Sequence, residues 1–494
     1  MPLTRSQLTW IAAAALLLGS SAAVVYYLQD LTLSHYDAKA HLVVARRIVD
    51  SLRPGWWQIG AVWLPLPHLL NLGPVQVDWL YRTGLSGVAI SVASFTVTVT
   101  TIAWLIGRAT GSLWAALAGA LVFAAQPDVL YLQATPMTEP LLMALCVLGV
   151  ALTWRWVQDD DALRPHAASL ALAGACLTRY EAWPVTAATV GLAGLVLLMN
   201  GKGLGVAIVR TWRLATYPIV AVIAFLCLSR ATVGAWLVTG GFYLVDNPAH
   251  HRPITALGQV FWGLRQLDGT ATVVMALIAA AGCLIAVARS PRHRALLVLF
   301  ALTGTAALPT YAFYNGHPFR IRYMVVLTAA VAVMAGVGVG LLSRVAPRAR
   351  LGVLAAALLA AIAIIETPPF PQTSPMLAEA QWDRPRSRER QKVTACLRTQ
   401  YDGAPILASM GSLAHFMQET SRAGFNIRDY IHEGIGQVWI DSLEQARRHA
   451  GWVLIEEQAE GGDQLFHLRA QSPRFLDGFD RICEGGGVAL YRRR

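Results

Sequence analysis

Charge is the scarcest ingredient of this 494-residue chain: Asp, Glu, Lys and Arg make up 14% of it. A soluble protein carries roughly a quarter, so an ordinary soluble enzyme is excluded. Acids are scarcer than bases, 29 against 40. No glycine-rich phosphate loop and no nucleophile signature occurs in the C-terminal quarter, and no His, Cys or acid spacing forms a strong metal signature. The two halves of the membrane part show no repeat of the kind common in transporters.

What is abundant is apolar: 55% of residues are hydrophobic, with a mean hydropathy of +0.48. Runs able to cross ~30 Å of hydrocarbon recur at 10–28, 84–106, 112–127, 138–157, 167–179, 183–199, 213–232, 270–288, 294–313, 323–343 and 351–366. The expectation is a polytopic α-helical membrane protein of about 11 spans. The first run could also be read as a signal peptide, but its apolar stretch continues through Leu28.

The formal charge of +11 belongs to residues 1–366, with 24 Lys and Arg against 13 Asp and Glu, whereas residues 367–494 hold 16 of each. Nucleic acid is therefore not the expected partner. With the N-terminus in the cytoplasm, the short inner loops collect Arg5, Arg108, Arg155, Arg164, Lys202, Arg210, Arg213, Arg289, Arg292, Arg294, Arg344, Arg348 and Arg350. Eleven crossings then place the tail outside. Except for Asp159, Asp160 and Asp161, the acids of the membrane part fall on the outer side: Asp30, Asp37, Asp50, Asp78, Asp128, Glu139, Glu181, Asp246, Asp268 and Glu366. Insertion does not require that asymmetry, so it points to chemistry on the outer face.

The first outer loop, 29–83, is too long for a plain connection. From Lys39 to Arg53, Leu42, Ala45, Ile48, Val49 and Leu52 recur at helical spacing, which predicts a helix lying flat in the membrane interface. Asp37 suits a helix N-cap, and His35, Asp37 and His41 could ligate a metal, though at no diagnostic spacing. Trp56, Trp57, Trp63, Trp79 and Tyr81 fit an interfacial belt better than sugar stacking. The pair 167–199 gives each of two helices only about 24 Å, so the turn Thr178-Arg179-Tyr180-Glu181 should lie below the outer surface. A charged turn there needs a cavity or a partner, and pairing of Arg179 with Glu181 is the plain alternative to function. Glu139, followed by Pro140, equally suits a helix start.

Together these features resemble the GT-C superfamily of membrane glycosyltransferases, which includes protein O-mannosyltransferases, the lipid A aminoarabinose transferase and the catalytic subunit of oligosaccharyltransferase. Asp37, in Tyr36-Asp37-Ala38-Lys39-Ala40-His41, stands where that family places a first-loop acid. Leu64-Pro65-Leu66-Pro67-His68 is similar to its Pro-Pro-Leu element, Pro136-Met137-Thr138-Glu139-Pro140 to its second acidic position, Leu177-Thr178-Arg179-Tyr180-Glu181 to its Leu-Thr-Arg turn, and Arg322-Tyr323 to the Arg-Tyr opening a late span. Where the family usually has an acidic pair, this chain has Asp37-Ala38, and Leu66 interrupts the doubled proline.

The resemblance implies transfer of a sugar from a polyprenyl-phosphate donor to a lipid, glycan or protein acceptor on the extracytoplasmic face of the plasma (inner) membrane. Such transfer needs a base for the acceptor hydroxyl and cations for the departing phosphate. Asp37 is the expected base, with Glu139 as second catalytic acid. Arg179 and Arg322, and more weakly Lys39 and Arg320, are the expected phosphate ligands, with His41, Glu181 and Tyr323 beside them. A divalent ion such as Mg or Mn, where one is used, would take Asp37 and Glu139. A transporter or lipid flippase is the competing reading, because buried charge suits it equally.

The proline-rich stretch 367–386 reads as a linker, and 387–494 as a small soluble α/β domain with helices at 387–401, 411–420 and 441–450 and strands at 406–408, 452–455 and 488–491. Glu484-Gly485-Gly486-Gly487 reads as a turn. Cys396 and Cys483, the only two cysteines of the tail, can form a disulfide if it faces an oxidising compartment.

Overall fold

The computed structural model describes residues 3–159, 165–238, 247–345, 349–371, 373–459 and 461–494, so Asp160, Asp161, Arg164, Asp246 and Arg348 lie outside the described residues. Every apolar run named above is helical, making this a multi-pass membrane protein. Among the described residues, eight helices are long and apolar enough to cross a membrane by themselves; Leu113–Ala124 and His166–Cys176 are shorter apolar helices.

Local chemistry sets the helix ends. Leu85–Thr110 stops at Gly111, whose φ of 72° is left-handed and whose N–H caps Gly107 O, and Ser112 then caps the next helix by accepting from Ala115 N at 3.2 Å. Small residues let helices meet: a Cβ on Gly119 would stand 3.0 Å from Ala332 O and 3.3 Å from Gly336 Cα. The late helix pair Arg322–Val325 and Leu327–Val345 runs through this contact and is largely enclosed. An additional helix, Pro253–Asp268, exposes Ile254, Leu257, Phe261 and Trp262. Its 16 amphipathic residues fall short of a span, so hydropathy alone does not mark it.

In the first outer loop the helix is Tyr36–Arg46 rather than 39–53, and every residue from Asp37 to Arg46 is buried. Its charged face, expected to meet the membrane interface, is covered by the C-terminal domain. Lys39 reaches Glu419 at 2.6 Å, and Asp50 accepts from Arg428 Nε at 2.8 Å. Asp37 is not the N-cap either, since His35 Nδ1 accepts from Asp37 N–H at 3.1 Å. Trp56, Trp57 and Trp79 do remain exposed.

The tail is an α/β unit around one five-stranded sheet: β1 (Ile406–Ala408), β2 (Tyr430–Ile431), β3 (Trp452–Glu456), β4 (Phe479–Gly485) and β5 (Val488–Arg493), in order β2-β1-β3-β5-β4. β1 is parallel to β2 and β3, and β5 is antiparallel to β3 and β4. Gly486 and Gly487, at φ 59° and 82°, make the tight β4–β5 turn. Leu42, Val43, Val75 and Tyr81 of the first loop share one hydrophobic core with Leu397, Phe416, Met417 and Trp452 of the tail. A disulfide joins Cys396 to Cys483. Within the expected linker, residues Pro375–Gln381 form a helix that buries Met376, Leu377 and Ala380.

Candidate active site

Two arginine–carboxylate centres lie side by side, each formed where a helix begins. In the first, Arg322 forms a buried ion pair with Asp37, two groups 285 residues apart in sequence. The guanidinium also stands 5.4 Å from the Tyr323 ring, whose hydroxyl is 3.3 Å from His317 Nε2. Burial alone would push the Asp37 carboxyl up; the Arg322 guanidinium outweighs it and holds it well below the usual carboxylate range. In the resting arrangement Asp37 is ionised but occupied.

In the second centre, the turn between the two short helices places Arg179 3.0 Å from Glu139 and 2.6 Å from Glu181, with Thr138 Oγ1 accepting at 3.2 Å. The plain pairing of Arg179 with Glu181 is thus present, and Glu139 is added to it. Glu139 is fully buried at the first turn of Glu139–Trp156, and neither carboxylate oxygen has a hydrogen bond. Arg179 and Glu139 both lie within electrostatic reach of Arg322. One turn along from Asp37, His41 Nδ1 and His68 Nε2 are 3.1 Å apart, under the Trp63 ring at 4.1 Å. Burial, then its neighbour, pushes His41 well below the usual imidazole value, and burial pushes His68 down to about 3. Both rings are neutral and share one hydrogen.

Asp37, His41, Glu139, Arg179, Glu181, Arg322 and Tyr323 are therefore gathered into one region. Arg320, half-buried, lies within electrostatic reach of Tyr36. Lys39 is not gathered: its ammonium turns to the tail, where Glu419 binds it. A divalent ion does not fit the pair proposed for it, because Asp37 and Glu139 each face an arginine, and among the described residues no group of three or more His, Cys, Asp or Glu is placed to hold a metal. Sequence reasoning missed Glu379, which accepts from Ile321 N–H at 2.9 Å and reaches His35. Its surroundings, Met376-Leu377-Ala378-Glu379-Ala380-Gln381, carry no chemical motif.

No family model matches the sequence, and no curated protein matches it either. Solved structures do match in three dimensions. ArnT from Cupriavidus metallidurans in the apo state has a TM-score of 0.58 over 97% of this chain and 98% of that one, at 13% identity. The same protein bound to undecaprenyl phosphate has a TM-score of 0.57 over 96% and 97%, also at 13% identity. From the first span through the tail, the chain has the GT-C fold of ArnT.

Proposed function

We propose that this protein is a membrane glycosyltransferase that moves a sugar from a polyprenyl-phosphate donor to an acceptor hydroxyl at the extracytoplasmic face of the plasma membrane. The observation that carries this reading is the buried Asp37–Arg322 pair beside Arg179 and Glu139. The solved likeness bound to undecaprenyl phosphate supports the donor class. The outward side is supported by the arginine-rich inner loops and by a disulfide in the tail, which persists in oxidising compartments.

The pair explains the order of events. A phosphate group competes with the Asp37 carboxylate for Arg322, because guanidinium binds phosphate through strong charge-assisted hydrogen bonds. Once Arg322 turns to the phosphate, Asp37 loses the neighbour that suppressed its basicity. It then takes the proton of the acceptor hydroxyl while that oxygen bonds to the anomeric carbon. The bond from this carbon to the phosphate oxygen breaks, its electron pair stays on the phosphate, and Arg322 and Arg179 hold the charge. Glu139, with two buried oxygens lacking hydrogen bonds, accepts from sugar or acceptor hydroxyls.

The test is transfer from radiolabelled polyprenyl-phosphate sugars by purified protein and its Asp37→Asn variant. Transfer by the native protein, lost by about 10²- to 10⁴-fold in the variant, is the expected result. Equal transfer by both removes Asp37 as base. No transfer from any lipid-linked sugar, together with measurable solute or lipid flux, favours the transporter reading.

A further inference from the structure

The chain does not leave the membrane domain directly for its soluble tail. After the last span it runs back over the outer helix ends and is fastened there at several points. The Phe370 ring lies 6.1 Å from Tyr26, Met376 N–H donates to Asp128 at 2.8 Å, and the Trp382 ring meets Tyr36 edge-on at 6.1 Å. Between these contacts Glu379 is aimed at both halves of the first arginine–carboxylate centre.

One oxygen, Oε2, accepts from the N–H of Ile321 at 2.9 Å, and Ile321 is the residue from which the Arg322 helix starts. The other, Oε1, is buried without a hydrogen bond and lies 3.8 Å from His35 Nε2. His35 uses Nδ1 to accept the N–H of Asp37, so its hydrogen is on Nε2, facing Glu379. The Asp37 and Arg322 elements have no short covalent connection. A single carboxylate touches the residue before Arg322 and the residue that caps the Asp37 helix.

We infer that Glu379 is a positioning residue, a brace from the post-span segment that fixes the Asp37 helix against the start of the Arg322 helix while Arg322 exchanges Asp37 for phosphate. This rests on the transferase reading for its kinetic consequence but not for its geometry. Without the brace, the same exchange lets the two elements part, and a displacement of about 1 Å in a reacting geometry costs about a hundredfold in rate. The effect belongs in the catalytic step rather than in donor capture, since Arg322 and Arg179 themselves are unchanged.

The experiment compares the full-length protein with Glu379→Ala and Glu379→Gln in lipid nanodiscs by two readouts. The first is the donor kcat and KM. We expect kcat to fall about 10- to 100-fold in Glu379→Ala with KM within about threefold, and Glu379→Gln, which keeps an oxygen for Ile321, to recover most of it. The second is amide hydrogen exchange of residues 315–326 and 32–40 without substrate, where Ala accelerates exchange and Gln restores protection. An unchanged kcat in Glu379→Ala, a proportionate rise in KM, or Gln no better than Ala overturns the inference. Should the native protein transfer nothing, the transferase reading fails, and exchange alone decides the brace: unaltered protection in Glu379→Ala sinks it.

Discussion

The molecule contains two buried networks built from the same materials, and they are finished differently. In the tail, Arg390 is fully enclosed and donates to both oxygens of Asp383, at 3.1 and 2.6 Å, and to both of Glu419, at 3.1 and 3.0 Å. Glu419 also accepts from Lys39 at 2.6 Å and Ser387 at 2.8 Å. Two cations meet two carboxylates and their oxygens are all used, with His415 Nε2 the neighbouring atom left over. At the two arginine–carboxylate centres, by contrast, both oxygens of Glu139, Nε of Arg322 and Oε1 of Glu379 lack hydrogen bonds, and of these Glu139 Oε1 has an ion pair, with Arg179 at 3.0 Å. A buried polar atom without a partner costs about 1–3 kcal/mol, so a network that keeps several of them is suited to complete itself with a ligand. The saturated network holds the first loop to the tail; the open one is where the proposed chemistry would take place.

That contrast can be broken by substitution. The largest effect is expected from Asp37→Asn, a loss of up to about 10⁴-fold in transfer, accompanied by some destabilisation because Arg322 is left buried without its carboxylate; transfer that falls only in proportion to the unfolded fraction would mean that the open network is structural. Arg390→Ala strands two buried carboxylates and should destabilise the tail by about 3–5 kcal/mol, read by thermal unfolding in nanodiscs. Transfer by its folded fraction should stay near native, and loss of transfer at unchanged stability would erase the distinction. Replacing Cys396 and Cys483 by Ser opens a link spanning 87 residues and should cost about 4 kcal/mol, checked by comparing oxidised and reduced native protein with the double variant.

The smallest effect concerns Glu456 at the end of β3, which burial, with Asp383 and Asp463 adding to it against Arg390 and Arg386, pushes up from 4.5 to about 7. The folded state thus holds a proton that the unfolded chain releases. Stability from this group is greatest below pH 4.5, falls as pH rises towards 7, and is lost above it. Glu456→Gln should match the native tail at pH 4.5 and exceed it by about 3 kcal/mol at pH 8. Equal stability at both pH values would show that Glu456 is solvated.

Much of the site was legible because membrane constraints act locally. Asp37, Glu139, Arg179 and Arg322 are exceptional as charged residues near the ends of apolar runs, and the turn inside the pair 167–199 carries Arg179 and Glu181. The strands 406–408, 452–455 and 488–491 were legible from short apolar runs, while β2, two residues long, and β4, with exposed Asp480 and Arg481, gave no such signal. The cover that the tail lays over the first loop has no signal in the sequence. Lys39, Arg46 and Asp50 form a polar face, and periodicity cannot distinguish a face turned to lipid headgroups from one turned to a second domain.

Hydropathy and spacing by themselves determined the helical membrane bundle and singled out its few acids and arginines, because burial in lipid and helical period are properties of neighbouring residues. Only the tertiary structure decided the pairings: Arg322 with Asp37, Arg179 with Glu139, Lys39 with Glu419 rather than with a phosphate, and Glu379 across the first pair. Charge interaction falls with distance, and these partners, from 40 to 380 residues apart in sequence, become neighbours only when the chain is folded.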